Sequence, residues 1–296
     1  MLRDRRYTLV LGGGGIKGLA HIGVLRAIED IGATPQEVVG SSIGSLVGAA
    51  WCAGISAAEM DELALQVTRR DVFRVAHRTM ATKRMRAPGL YRREPLREFI
   101  GGLLGDVTFA ELRVPLRINT VDLNTGDQVL WGSPGFDDVP VADAAYASCA
   151  LPGYLPPQLL RQHHFADGAS ISNLPIECAT HWDRDLVVAV DVGQFIPHKE
   201  DMERVGFAAL YARAIEIAMG TRRDVSLRHW SRPPLLLLSP RIEHLGLFSF
   251  DHSAYLIGEG RLVAEGAFAT PEALPHPDAS GVIRYRLPDG VTAALA

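Results

Sequence analysis

The stretch from Tyr7 to Ala53 limits the possible folds more than any other part of the chain. Tyr7 to Leu11 is a short apolar run of β-formers bounded by glycines, which predicts a buried strand. Gly12 to Gly15 is a loop, and Lys17 to Ile31 predicts a helix with Leu19, Ile22, Leu25 and Ile28 on one stripe. Gly18, Ala20, Gly23 and Ala27 allow that helix to pack closely. Glu37-Val38-Val39 predicts a second strand, Gly40 to Ser45 a tight turn, and Leu46 to Ala53 a helix of small and apolar residues. An order of strand, loop, helix, strand, turn, helix implies a parallel sheet with helices on both faces.

Later segments fit the same scheme. Strands are expected at Leu116 to Val121, Gln128 to Trp131, Leu186 to Val190 and Leu235 to Leu238. Helices are expected at Asp143 to Ala150, Glu203 to Met219 and Ser253 to Phe268, with the Pro-rich tail after Thr270 wrapping the surface. The expected fold class is α/β, a three-layer α/β/α sandwich around a mostly parallel central sheet. The expectation is one domain over residues 1–296, with a motif core at about 7–192.

Composition excludes several classes. The formal net charge is −4, which gives no reason to expect a nucleic-acid binder. No stretch approaches the roughly 18 uninterrupted apolar residues of a spanning helix, and the Tyr7 to Leu11 run is too short for a signal-peptide core. Cys52, Cys149 and Cys178 are an odd set without CxxC spacing, and are expected to be reduced. A cytoplasmic protein, soluble or peripheral to a membrane, is the expectation.

Three motifs carry chemistry. Gly12-Gly13-Gly14-Gly15-Ile16-Lys17-Gly18 lies between strand and helix, where uncovered backbone N–H groups can hold an anion or an oxyanion. Gly13, Gly15 and Gly18 also match a dinucleotide fingerprint. That reading demands an acidic residue at the end of the second strand, and Glu37 sits at the strand's beginning. Gly40-Ser41-Ser42-Ile43-Gly44 is a G-x-S-x-G directly after a strand and before a helix, the setting of a nucleophile elbow. The plain alternative is a βα turn with a serine cap. Asp167-Gly168, after a short apolar segment, is by itself only a turn.

Together these blocks resemble the glycine loop, elbow and Asp-Gly-Gly/Ala element of patatin-like phospholipases. Ala147-Ser148-Cys149-Ala150-Leu151-Pro152-Gly153-Tyr154-Leu155-Pro156 resembles a further family block, with Tyr154-Leu155 where phenylalanine is frequent, and Asn173 and Pro175 fit what usually follows the aspartate. The resemblance implies the patatin-like form of the sandwich and a serine lipid acyl hydrolase, of phospholipase A or lysophospholipase type. Its catalytic pair would be a Ser42–Asp167 dyad without histidine. Gly13, Gly14 and Gly15 would form the oxyanion hole, with Lys17, Gly18, Gly40, Gly44 and Gly168 in support. No metal or cofactor is expected. Alternatives are a carboxylesterase or thioesterase on smaller or neutral acyl esters, a Ser…Asp…His triad using His229, His244 or His252, and a non-catalytic nucleotide binder.

Lys17 is expected to support the loop, to attract a lipid phosphate, or to face solvent. Adjacent His163 and His164 face opposite ways on a strand and are read as structural. Asp191 is read as a strand-end turn residue. Residues 68–105 are expected to form a cap or lid. Within it Arg69, Arg70, Arg74, Arg78, Lys83, Arg84, Arg86, Arg92 and Arg93 make a basic stretch suited to an anionic lipid surface. The expected partner is thus a lipid or acyl ester, with no prediction of oligomeric state.

Overall fold

The computed structural model describes residues 2–77, 87–179, 183–193, 206–269, 274–288 and 290–293. The Tyr7–Leu11 run is strand β1, buried along its whole length. The other strands are β2 (Glu37–Ser41), β3 (Leu116–Asp122), β4 (Gln128–Trp131), β5 (Gln158–Leu160), β6 (His163–Asp167), β7 (Leu186–Val190), β8 (Leu235–Leu238) and β9 (Val282–Tyr285). They form one sheet in the order β5-β6-β3-β2-β1-β7-β8-β9, with β4 on the free edge of β3. From β3 across to β9 the pairings are parallel, whereas β4, β5 and β6 are antiparallel.

The helices are α1 (Ala20–Asp30), α2 (Ile43–Cys52), α3 (Ala57–Gln66), α4 (Arg69–Val72), α5 (Glu94–Leu104), α6 (Val141–Cys149), α7 (Phe207–Arg228) and α8 (Ser253–Ala269). The period-2 alternation divides the core in two. Leu9, Leu11, Val38, Ile118, Val188 and Leu236 face a large cluster with α1, α2, α6 and α8. Val10, Val39, Val187, Ala189 and Leu237 face a smaller one closed by Leu174, Ile176, Leu227 and Trp230. The sandwich therefore has three layers of unequal thickness.

Two expectations change. The tail after Thr270 is more than a surface wrap, since Val282–Tyr285 pairs parallel with β8 and extends the sheet. The helix expected from Lys17 begins as a 3-10 turn at Gly15–Leu19 and becomes α-helical only at Ala20.

One feature of the register places the site. Asn119 and Thr120 of β3 are covered on one edge by Leu130 and Val129 of β4. On the other edge Asn119 opposes Ser41 of β2, and Thr120 opposes Asp167 of β6. Because β2 runs parallel and β6 antiparallel to β3, their C-terminal ends meet head-on along a single strand.

Candidate active site

Ser42 follows the end of β2 and precedes α2 with φ 53° and ψ −129°, a conformation that side chains rarely adopt. Its main chain is held on both sides. The Ser42 N–H donates to Ser148 Oγ at 2.9 Å. The Ser42 carbonyl accepts from Ser45 N at 2.9 Å and from Ser45 Oγ at 2.6 Å. The strained turn leaves the Ser42 side chain half-buried at the head of the sheet.

Asp167 closes β6 and is 2% exposed. Its Oδ1 accepts the Ala169 N–H at 2.9 Å, and the Ser42 hydroxyl lies close enough to favour the charged carboxylate. Burial pushes the Asp167 carboxyl up to about 7, outweighing the opposing influence of the Ala169 N–H and the Ser42 hydroxyl. A carboxylate in that range is a far better base at neutral pH than one in water.

The glycine loop lies beside this pair. Gly12 N donates to Val190 O at 3.1 Å, and His21 Nε2 meets Gly12 O at 2.8 Å. Burial holds the His21 ring down at about 4, so it is neutral and donates through Nε2. The expectation for Gly13 needs correction. Its N–H is already committed to Asn173 O at 2.9 Å, so it is not available to an oxyanion. Among the described residues, the N–H groups of Gly14 and Gly15 donate to no protein acceptor. Gly15 has φ +58°, and a Cβ there would fall 2.5 Å from Leu247 O, so this position requires glycine.

The supporting glycines are sites of close approach. A Cβ at Gly40 would lie 2.5 Å from Ser45 Cα, and one at Gly168 would lie 2.5 Å from Asn119 Nδ2. A Cβ at Gly18 would enter the Ile43 side chain, and one at Gly44 would lie 2.7 Å from Gly12 O.

Lys17 is 7% exposed, which removes the solvent-facing reading. Burial lowers its pKa, while Asp191, Glu216 and Glu243 act in the opposite direction. Asp191 is more than a turn residue. It is buried, accepts Gly193 N at 3.1 Å through Oδ1, and pairs with Arg223 Nη1 at 3.1 Å through Oδ2. A buried charge network thus stands behind the glycine loop.

His163 Nδ1 lies 2.6 Å from Asp122 Oδ2, a contact away from the Ser42–Asp167 pair. His229 Nδ1 lies 2.9 Å from Val225 O, and the His244 ring packs at 5.5 Å on Tyr255. Neither is a partner of Asp167. Of the basic stretch, Arg78, Lys83, Arg84 and Arg86 lie outside the described residues. Arg69 donates to Tyr91 OH at 2.7 Å and covers the Phe248 ring at 5.5 Å, and Arg93 covers the Tyr146 ring at 5.7 Å. Arg92 pairs with Glu94 at 3.1 Å, whereas Arg70 and Arg74 are exposed. Phe73, Tyr91, Tyr154 and Phe248 form one aromatic cluster. Leu247, next to Phe248, accepts the Ile16 N–H at 3.0 Å, which links that cluster to the glycine loop.

Sequence reasoning overlooked Asn119, His21 and Arg223, and treated Ser148 only as part of a block. Asn119 Nδ2 donates to Ser172 O at 2.9 Å and to Ser41 Oγ at 3.3 Å, while its Oδ1 accepts from Gln128 at 2.8 Å. Only a fold-level view shows these partners.

A family model described as patatin-like phospholipase matches residues 9–180, which span the glycine loop, the elbow and the aspartate. The chain belongs to the patatin-like phospholipase family. It is 31% identical over 190 residues to an uncharacterized NTE family protein of Mycobacterium tuberculosis strain H37Rv, covering 63% of this chain and 49% of the relative. It is 31% identical over 199 residues to human patatin-like phospholipase domain-containing protein 6, covering 65% of this chain and 14% of that protein. The chain therefore spans about half the length of the mycobacterial relative. Among solved structures, VipD from Legionella pneumophila superposes with a TM-score of 0.49 at 10% identity, covering 90% of this chain and 67% of that one. Among the described residues, no helix is long and apolar enough to cross a membrane.

Proposed function

We propose that this patatin-like chain cleaves carboxylic esters of phospholipids or lysophospholipids through a Ser42–Asp167 dyad. The observation that carries the reading is the meeting of Ser42, in its strained turn at the end of β2, with the buried Asp167 at the end of β6, where burial holds the carboxyl at about 7. As Ser42 Oγ attacks the ester carbonyl, its proton passes to Asp167. The carbonyl oxygen becomes an oxyanion facing the Gly14 and Gly15 N–H groups. Collapse of this intermediate breaks the bond to the alcohol, which takes the proton from Asp167. Water then attacks the acyl-enzyme with Asp167 again as base, releasing the fatty acid and restoring Ser42.

The exposed guanidinium groups of Arg70 and Arg74 support a second element of the proposal, contact with an anionic lipid surface. Arg69 and Arg93 take a smaller part, since both are engaged by aromatic rings.

The test is hydrolysis of a short-chain p-nitrophenyl ester and of a fluorogenic phospholipid by wild type, Ser42→Ala and Asp167→Asn. Activity should collapse in both variants and persist in EDTA. Activity that survives Ser42→Ala would overturn the reading. A marked preference for the short ester over every phospholipid would instead point to a carboxylesterase.

A further inference from the structure

The dyad requires two strand ends that meet head-on to stay in register, and one short stretch at the C-terminal end of α6 touches both. Ser148 is wholly buried near the end of α6. Its hydroxyl accepts the Ser42 N–H at 2.9 Å and donates to Asn119 O at 2.7 Å. Two residues on, Ala150 O accepts the Asp167 N–H at 3.1 Å. Residues 148–150 therefore hold the main chain of both members of the pair. Asn119 is the β3 residue opposite Ser41, and its neighbour Thr120 opposes Asp167. Ser148 thus inserts at the seam where β2 ends and β6 ends. Between the two anchoring residues, burial raises the Cys149 thiol pKa and the charge of Asp167 adds to that rise.

We propose that Ser148 is a positioning residue for the reaction, acting through the main chain of Ser42. A hydroxyl is the group that fits, because it must accept from an N–H and donate to a C=O at once. The nucleophile sits at φ 53°, ψ −129°, which the surrounding structure has to impose. Helix formation in α2 fixes the C-terminal side of this turn through Ser45. Ser148 fixes the N-terminal side. The same bond removes the Ser42 N–H from the pool of oxyanion donors, which leaves that task to the glycine loop. Alanine at 148 would leave a buried N–H and a buried C=O unpaired and free the elbow to relax. A relaxed elbow moves Oγ away from Asp167, while the binding surface for the acyl chain stays in place.

This inference rests on the proposed role of Ser42, and the experiment separates the two. Wild type, Ser148→Ala, Ser148→Cys and Ser148→Thr are reacted with a fluorophosphonate probe, and the labelled residue is located by mass spectrometry. The rate of labelling is read alongside kcat and KM for a p-nitrophenyl ester and the urea midpoint. Ser148→Ala should slow labelling and kcat by about 100-fold, the scale of a misplacement near 1 Å, with KM little changed. Ser148→Cys, which keeps the volume but is a weak acceptor, should fall in between if alanine does not fold. Ser148→Thr should restore most of the rate. If wild type labels at Ser42 while alanine and cysteine variants label just as fast and differ only in urea midpoint, Ser148 is merely structural and the proposal fails. If the probe does not react at Ser42 in wild type, the dyad itself fails and Ser148 loses its role with it.

Discussion

Asn173 grips Gly13 from two directions. Its carbonyl accepts the Gly13 N–H at 2.9 Å, and its Nδ2 donates to Gly13 O at 3.0 Å. A Cβ on Gly13 would strike the Asn173 amide, so the two residues fit only as glycine and a short amide. The clamp sets where the next two N–H groups point. Asn173→Ala should cost about 1–3 kcal/mol in stability by leaving Gly13 O without its partner. It should also lower kcat more than it raises KM if the loop amides act on the transition state as proposed. Asn173→Asp should be worse, since a carboxylate oxygen would face Gly13 O. Urea unfolding together with steady-state kinetics on a p-nitrophenyl ester checks both. An alanine variant with unchanged kcat would show that the loop holds its shape unaided.

Asp167 makes the site's pH behaviour predictable. Its carboxyl titrates at about 7 in the folded protein, against 3.8 in its ordinary range, because burial disfavours the charge. The base form accumulates only as pH rises through about 7, so kcat/KM should climb with unit slope below that value and level off above it. Stability should move the other way. Between 3.8 and about 7 the folded state holds a proton that the unfolded state has lost, so this group's contribution declines as pH rises. Above about 7 the ionised group leaves a deficit of up to roughly 4 kcal/mol. Asp167→Asn keeps an oxygen for the Ala169 N–H and removes the charge. It should be inactive yet melt higher than wild type at pH 8 and not at pH 4. A lower Tm at pH 8 would mean that the carboxylate is a net stabiliser.

The parts of this site that lie within a few consecutive residues could be read directly from the chain. A strand followed by Gly40-Ser41-Ser42-Ile43-Gly44 announces an elbow because local sterics demand those glycines. The sheet's parallel half was legible for the same reason, since buried parallel strands are short continuous apolar runs. What brings Asp167 to Ser42 was not legible. It depends on β6 pairing antiparallel to β3 directly beyond the end of β2, and no local pattern names a strand's partner. Asn119 and Ser148 act on main-chain atoms far away in sequence, so their residue types carried no signal. The carboxylates whose charge acts on Lys17, Asp191 just beyond β7 and Glu216 of α7 among them, lie far away in sequence, which no local pattern revealed. The strand Val282–Tyr285 was missed because four residues at a sheet edge, with only Val282 fully buried, barely alternate.

The charges behind the glycine loop should be coupled. Asp191 is shared by Arg223 and the Gly193 N–H and sits in the field of Lys17. Burial raises its pKa, and Arg223, the Gly193 N–H and Lys17 oppose that rise. Removing Arg223 strands Asp191 in a poorly solvated place, so Arg223→Met should cost about 3–5 kcal/mol, whereas Asp191→Leu should cost less because Arg223 keeps Asp224 as a partner at 2.6 Å. The double variant should cost clearly less than the sum, because a buried pair replaced by apolar side chains leaves no orphan charge. A double-mutant cycle in urea measures this coupling. Additive losses would show that the two residues stabilise the protein independently.

Two glycines give opposite expectations for the same alanine substitution. Gly44 stands in the first turn of α2, where a Cβ would lie 2.7 Å from Gly12 O and press on the Leu11 carbonyl. Both obstacles are backbone, so neither can swing aside, and the helix would have to lift off β1. That movement carries Ser42 with it and separates the elbow from the glycine loop. Gly44→Ala should therefore lose most activity and several kcal/mol of stability, in the manner of an overpacked core. Gly102 lies on the exposed side of α5, where a Cβ would meet nothing within 4 Å. Alanine there restricts the unfolded chain and suits the helix, so Gly102→Ala should add about 0.5–1 kcal/mol and leave kcat alone. Thermal unfolding of the two variants beside wild type decides the matter. If Gly44→Ala folds normally and keeps its activity, the tight crossing of α2 over β1 is not what sets the elbow.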